Sequence, residues 1–305
     1  MPEGDTIAWA ANRIRPVLEG RVPDEILTPQ TPPRAARAVP VLDRWPERLK
    51  GRAVRGVDTH GKHLFIRFGP LALGPAARSA SGLAGTGCAR AVQLARQHRA
   101  DRMSSGRFDD ELVIHSHLGM SGVWGVYTPE RRWGRSPRRA WLVLRVGDRH
   151  VVEFDGPLLK LVTEGRTRFD QRLAALGPDV LASDFDRQRF LARLRSDDQT
   201  RPLGDALLDQ RNVAGIGNIW KAEGCWEASI DPWPPVADVS DAEAAAVIEA
   251  TRPRMLRSAL EGPRTIEPRV YKRTGRPCPR CGTRVASRGQ GDANRTTYWC
   301  PGCQR

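Results

Sequence analysis

The sequence predicts an α+β chain of more than one domain: a β-rich unit first, a helical unit second, and a small metal-stapled hairpin behind them. Three observations carry this. Before Ser183 the apolar residues come in short β-rich runs broken by glycine, the pattern of strands. From Ser183 to Gly262 they recur at helical spacing instead. Beyond that, four of the six cysteines fall as two Cys-x-x-Cys pairs between Cys278 and Cys303.

Length and charge narrow the class. The 305 residues suffice for about two domains, each with its own core. Lys plus Arg number 49 against 35 Asp plus Glu, a formal charge of +14, and the excess is largely arginine, whose planar fork matches phosphate. The expected partner is a polyanion. No apolar run reaches the roughly 18 residues of a membrane span, and the acidic start at Glu3 and Asp5 lacks the basic-then-apolar order of a secretory signal. These features read as a soluble, intracellular protein.

The chain opens MPEGDT. If Met1 is removed, Pro2 presents a free secondary amine. A terminal amine has a reference pKa near 7.7–8.0 against about 10.4 for lysine, so roughly a tenth of it is neutral and nucleophilic at pH 7. Condensed with an aldehyde carbon, a secondary amine gives an iminium with no N–H proton to lose. Its fixed positive charge draws electrons from the neighbouring carbon, as a β-elimination requires. Taken alone, Met-Pro-Glu is too common a start to carry a function.

Next come the strands. VRGVDTHGKHLFIRF reads as strand, turn, strand around His60, Gly61 and Lys62, and ELVIHSHLGMSGVWGVY, AWLVLRVG and RHVVEFDG are further β-rich runs. His115 and His117 share one strand face, but two ligands are too few for a metal and no third is evident, which favours packing or hydrogen bonding. Residues 69–107, rich in Ala, Gly, Ser and Arg with few large apolar side chains, interrupt the pattern. They read as a mobile basic insertion with a short helix around Ala91 to Gln97. Cys88 and Cys225 stand alone, and a small hydrophobe or an incidental thiol accounts for each.

In the helical region, SDFDRQRFLARLRS places Phe185, Phe190, Leu191 and Leu194 on one stripe behind a candidate N-cap at Ser183, and SDAEAAAVIEA begins with a capping box, Ser240 and Glu243. Between them LGDALLDQ and NIWKAEGCWEA are helical stretches joined by RNVAGIG. Gly215 and Gly217 permit a tight turn whose N–H groups feed a helix starting at Asn218, and a helix N-terminus is an anion site that a phosphate fits. By itself, Gly-Ile-Gly more often marks only a helix-to-helix turn.

The tail pairs Cys278 with Cys281 and Cys300 with Cys303 across a segment long enough for a hairpin, its centre marked by Ser287, Gly289, Gly291 and Asp292. Four thiolates would close a tetrahedron around one structural zinc ion and leave no open position for water. Two disulfides, the alternative, suit an exported protein. Arg295 lies on the returning strand, held by the metal; its plainer reading is a solvated surface arginine.

Together these stretches resemble the formamidopyrimidine-DNA glycosylase/endonuclease VIII family, nearest to its endonuclease VIII members. The resemblance rests on PEGDT, HGKHLF, HLGMSGVW, LLDQRNVAGIGNIW and RTTYWCPGCQR in that order, and runs nearly end to end apart from the insertion. It implies an N-terminal catalytic β-sandwich over 2–165, a helix–two-turn–helix DNA-binding domain over 166–262 and a zinc-finger hairpin over 263–305. The activity implied is that of a bifunctional DNA glycosylase and abasic-site lyase of base excision repair. Pro2 attacks C1′ of a damaged nucleotide, expels the base and holds the sugar as an iminium, and β,δ-elimination cleaves the strand. Glu3 is then the acid that assists sugar opening, Lys62 a DNA-contacting proton donor in β-elimination, and Arg295 a phosphate clamp in δ-elimination. Asn218, behind Gly217, binds backbone phosphate, and Met120 stands where the family inserts a side chain into the gap. The lesion must leave the stack to reach Pro2, so base flipping is implied. The implied partner is damaged DNA, double- or single-stranded, for a monomer of the cytoplasm or nucleoid that touches no membrane. The implied cofactor is one structural zinc ion, with no redox or nucleotide cofactor.

One departure bears on the lesion. Where formamidopyrimidine-type enzymes carry Asp-Pro-Arg-Arg-Phe-Gly, whose arginine and phenylalanine probe the opposite strand, this chain has FDGPLLKL from Phe154 to Leu161. The link ALEGPRTIEPRVYKRTGRPC is also too short for the lesion-capping loop of enzymes that recognise 8-oxoguanine. Oxidised pyrimidines are therefore expected over oxidised purines. A catalytically silent DNA-binding protein would keep the charge, the glycine turn and the zinc hairpin, with no reason to combine Pro2, Glu3 and Lys62. A zinc-ribbon interaction module would account only for the tail.

Overall fold

The computed structural model describes residues 2–28, 44–71 and 111–305. From residue 72 onward the insertion expected at 69–107, with its helix and Cys88, lies outside the described residues. The chain starts with a helix that the strand-rich first half hides: α1, Gly4–Leu18. Its cause is legible in the spacing of Ile7, Ala10, Ala11, Ile14 and Leu18, which form one buried stripe.

That stripe packs into a core shared by two antiparallel sheets. In chain order come β1 (Glu25–Leu27), α2 (Trp45–Leu49), β2 (Arg52–His60), β3 (His63–Leu71), β4 (Leu112–His117), β5 (Val123–Tyr127), β6 (Ala140–Val146), β7 (Arg149–Phe154) and β8 (Leu158–Thr163). The sheets are ordered β1-β6-β7-β5 and β2-β3-β4-β8. Leu64, Ile66, Ile114 and Leu159 of one meet Trp124, Leu142, Leu144 and Val151 of the other. The predicted strand–turn–strand is β2–β3, with His60 opposite His63 and Gly61 at φ +56°. The stretch that stands in place of a strand probe is largely β8: Leu159 pairs with Ser116 and is fully buried, so it is part of the core.

Two buried polar groups stand out in the sheets. His63 Nδ1 lies 2.9 Å from His115 Nε2, a third histidine that sequence spacing could not bring near. Burial first, then the neighbouring imidazoles and cations, push both rings down, His63 to about 3 and His115 to about 4, so the pair is neutral. Hydrogen bonding is its role, as expected of His115; among the described residues, the ligand atoms that gather as a metal site are those of four cysteines. Glu153, opposite Trp124 and Leu142, is fully buried, and neither carboxylate oxygen has a hydrogen-bond partner of normal geometry among the described residues. Burial pushes its carboxyl up to about 8.

The helical part comprises α3 (Glu164–Arg168), α4 (Gln171–Ala174), α5 (Arg187–Ser196), α6 (Leu203–Ala206), α7 (Asn218–Glu227) and α8 (Asp241–Glu261). Asp186 caps α5, through Arg189 N, in place of the expected Ser183, which lies one turn too early. The capping box of Ser240 and Glu243 is present on α8. Cys225 packs with Phe190, Leu194, Val247 and Met255 as a small hydrophobe. The tail forms the hairpin of β9 (Ala286–Gln290) and β10 (Arg295–Trp299). α1 ties the sandwich to the helices: Asn12 Nδ2 donates to Ala259 O at 2.9 Å, and Ser258 Oγ donates to Asp5 Oδ2 at 2.5 Å. Among the described residues no helix is long and apolar enough to cross a membrane.

Candidate active site

Three segments far apart in the sequence close on one another through glycines. Gly4 N donates to Gly215 O at 2.9 Å, and a Cβ on Gly4 would stand 2.9 Å from Gly215 Cα. A Cβ on Gly61 would stand 2.8 Å from that of Ala214. The start of α1, the β2–β3 turn and the turn before α7 therefore meet with no room for a side chain. Two bonds seat the β2–β3 turn further: Gly61 N donates to Asp179 Oδ2 at 3.0 Å, and His60 Nε2 lies 3.0 Å from Gly177 O.

This junction sets Glu3 on the amino end of α7. Its Oε1 accepts from Ile219 N at 2.8 Å, and its Oε2 accepts from Gly217 N at 3.1 Å and Trp220 N at 3.2 Å. The helix terminus does hold an anion, as the glycine turn suggested, but the anion is a side chain of this chain. At Gly217, where a phosphate contact is expected, the amide is engaged by Glu3, and a Cβ there would stand 2.3 Å from Glu3 Cδ. Room for a carboxylate is what this glycine supplies. Glu3 is buried, and burial raises its carboxyl to about 7 against the pull of the Lys62 charge and the amide donors. Both protonation states are populated near neutrality.

Pro2, half-buried, precedes this acid and lines a cleft of about 330 Å³ with Met120, Ile219, Trp220, Glu223 and Ile266. Met120 is 80 % exposed at the turn between β4 and β5, free to reach outward. Lys62 follows Gly61 in the β2–β3 turn, and burial pulls its ammonium down to about 8, the Glu3 charge opposing and Arg295 reinforcing the shift. Lys62 thus lies within electrostatic reach of both.

The helix that holds Glu3 also holds the hairpin. Asn218 Nδ2 donates to Thr296 O at 2.8 Å, and the buried Lys221 donates to Gln290 Oε1 at 3.3 Å and to Thr297 Oγ1. Both anchors sit beside Arg295, which is exposed at the start of β10. Burial lowers Lys221 to about 8. Sequence reasoning passes over this lysine, and over Glu223, which accepts the amides of Arg269, Val270 and Tyr271 and so pins the link from α8 to the hairpin. A charged residue at a helix position its neighbours bury was the only local signal for either.

At the base of the hairpin, the Sγ atoms of Cys278, Cys281, Cys300 and Cys303 lie within 4.8 Å of one another. The Cys278–Cys303 and Cys281–Cys300 separations, 3.8 and 3.5 Å, are far longer than the roughly 2.05 Å of a disulfide. Trp226 Nε1 and Arg280 N both donate to Cys278 Sγ, at 3.3 and 3.4 Å, support of the kind that metal thiolates receive. Four sulfurs so gathered fit one tetrahedral, structural metal ion.

Two family models match the chain: the formamidopyrimidine-DNA glycosylase N-terminal domain over residues 1–159, and the formamidopyrimidine-DNA glycosylase H2TH domain over 176–269. A probable endonuclease 8 2 of Streptomyces coelicolor is 37 % identical over 100 % of this chain and 94 % of its own. The DNA-(apurinic or apyrimidinic site) lyase Nei2 of Mycolicibacterium smegmatis is 33 % identical over 100 % of this chain and 99 % of its own. The Lactococcus lactis formamidopyrimidine-DNA glycosylase, crystallised with DNA containing N7-benzyl-Fapy-dG, superposes with a TM-score of 0.72 at 21 % identity over 100 % of both chains. Bound to DNA containing an abasic site, it gives 0.71 over 99 % of each. At that identity the likeness is one of fold.

Proposed function

The chain belongs to the formamidopyrimidine-DNA glycosylase family, and from that premise we propose that it is a DNA glycosylase and abasic-site lyase of base excision repair with the Pro2 amine as nucleophile. One observation carries the reading. Directly behind Pro2, which becomes terminal once Met1 is removed, stands an acid, Glu3, fixed by three backbone amides and titrating near 7, with Lys62 within electrostatic reach.

In this reading Pro2 N replaces the damaged base on C1′: the N–C1′ bond forms, the C1′–base bond breaks with its electron pair leaving on the base, and the amine proton passes to the departing base. Glu3 delivers a proton to the ring oxygen as the sugar opens, which leaves an iminium. That cation acidifies the adjacent C2′–H, and its loss expels the 3′ phosphate. Lys62, as an ammonium, is the proton donor on that side, and a second elimination expels the 5′ phosphate while Arg295 clamps it. Asn218 steadies the DNA backbone, and Met120 fills the gap the flipped nucleotide leaves. Cys278, Cys281, Cys300 and Cys303 would hold zinc, which supplies folding free energy to the hairpin that carries Arg295.

Oxidised pyrimidines are the proposed lesions. Leu158, Leu159 and Lys160 offer no forked donor set to read a base edge, and they lie in β8. Weak selectivity for the opposing base follows, with activity on single strands, where unstacking costs less.

Borohydride tests the core of the reading. Tag-free protein mixed with an abasic duplex should yield a reduced covalent adduct, while Pro2→Gly, or a protein extended at its amino end, should bind DNA and yield none. Full lyase activity with a blocked amine would overturn it. For the lesion, excision of an oxidised pyrimidine is measured opposite each of the four bases and in a single strand. Strong dependence on the opposing base, with an inert single strand, would overturn the weak selectivity for that base and mean that another part of the chain supplies the wedge.

A further inference from the structure

The cleft at Pro2 shares a wall with a second cleft along α1. In the reading above, a nucleotide joined to Pro2 would turn its base into the concavity of Pro2, Met120 and Trp220. That concavity runs on. Pro2, Thr6, Gly122 and Val123 also line a second cleft of about 510 Å³, and Arg13, Val126 and Arg131 line both the second and a third of about 720 Å³. The path follows one side of α1, past Thr6, Trp9 and Arg13, against β5. A drug-sized ligand fills a pocket of about 300–1,000 Å³, so a lone base occupies only the near end of this path.

The chemistry changes along the way. Trp9 and Tyr127 wall the middle, with the Arg13 guanidinium stacked over Trp9 at 4.8 Å. At the far end Arg13, Arg21, Arg131 and Arg149 face a cleft with one acid, Asp148. Arg21 and Arg131, both exposed, make no side-chain hydrogen bond or ion pair among the described residues. Among the described residues the Arg149 side chain pairs with Asp148, at 3.4 Å, with the two side chains 48 % and 69 % exposed, and its charge also reaches Glu130. Unpaired guanidinium groups at the end of an aromatic-walled groove complement an anion on an extended arm.

We propose that this groove receives the appendage of a bulky lesion: a damaged base bearing an aromatic or alkyl arm that ends in a phosphate or carboxylate. The middle of the groove takes the arm, and the arginine basin takes its charge. The inference rests on the glycosylase reading above, and its test separates the two.

Three substrates share one oxidised pyrimidine: unsubstituted, carrying a neutral aryl-alkyl arm long enough to pass Trp9 and reach Arg13, roughly 16 Å along α1, and carrying an arm of the same length that ends in a phosphate. The wild-type chain should excise all three. Arg131→Ala combined with Arg149→Ala should lower kcat/KM for the phosphate arm, relative to the unsubstituted base, by about tenfold, the weight of one or two charge-assisted hydrogen bonds. The ratio for the neutral arm should stay constant. Rejection of both arms by the wild type, an unchanged phosphate-arm ratio in the variant, or an equal loss on the neutral arm would overturn the inference. No excision of the unsubstituted base by the wild type would instead overturn the glycosylase reading.

Discussion

The carboxylate of Glu3 is gripped by the amide of Ile219, 216 residues away in sequence and 2.8 Å away in space. An acid beside a terminal amine is useful only if its direction is fixed, and here the fixing groups are backbone N–H donors that cannot rotate away. Gly217 completes the grip by having no side chain.

Gly217→Ala should therefore act on Glu3. The backbone at Gly217, with φ −127°, suits any residue, so the fold should survive, but the new Cβ meets the carboxylate and must push it aside. Base excision in single turnover should fall by about a hundredfold, as displacements of about 1 Å do in active sites. Cleavage of a pre-formed abasic site, whose aldehyde is already exposed, should suffer less. Equal activity of variant and wild type on both substrates would show that Glu3 needs no such seat.

The pH profiles of the two steps should separate. Both steps need the neutral Pro2 amine, whereas Glu3 donates only when protonated and titrates at about 7, so excision relative to abasic-site cleavage should decline as pH rises through 7. Lys62 keeps its proton up to about 8, so β-elimination at an abasic site should persist until pH passes 8. Glu3→Gln should lose the excision limb and retain much of the abasic-site cleavage. Coincident profiles for both steps would contradict this assignment.

Glu153 should make the protein less stable towards alkaline pH. Its folded carboxyl titrates at about 8 against the ordinary 4.5, so the folded chain keeps a proton that the unfolded chain has lost between those values. Its stabilising contribution is complete below 4.5 and is lost as pH rises to 8. Glu153→Gln cannot ionise, and its Tm should fall less than that of the wild type between pH 5 and pH 8. At pH 8 a gain of at least about 1 kcal/mol, or about 2 °C, is expected. Parallel Tm curves would refute it.

Metal removal should reach Arg295 through the hairpin. Cys300→Ser should bind no metal and loosen β10, since a structural ion supplies folding free energy to so small a unit. The expected product change is retention of β-elimination with loss of δ-elimination, read from the strand ends on a gel. Unaltered ends in a metal-free variant would show that the sulfurs do not position Arg295.

Much of this was written locally in the chain and could be read there. The β2–β3 turn, the capping box at Ser240 and the paired cysteines each depend on neighbours a few residues apart. α1 is equally local, in the period of Ile7, Ala10, Ile14 and Leu18, yet it precedes a long run of strand patterns that masks it. What spacing could not supply were partners across the chain: Glu3 on α7, His63 beside His115, and Lys221 under the hairpin. Glu153 sits in VVEFDG, an ordinary strand pattern, and only the meeting of two sheets turns its carboxyl into a buried one. At α5 the sequence offers Ser183 and Asp186 as rival caps, and the one within reach of the third amide wins.

The three-glycine junction also orders events in time. Pro2 and Glu3 leave the ribosome early, while the amides that seat Glu3 are made only at residues 217–220 and the cysteines that brace Arg295 between 278 and 303. In the proposed mechanism, a growing or truncated chain that has lost Met1 would carry a terminal amine with no acid seated beside it. By that mechanism, strand cleavage would come only once residues 217–220 and 278–303 are in place.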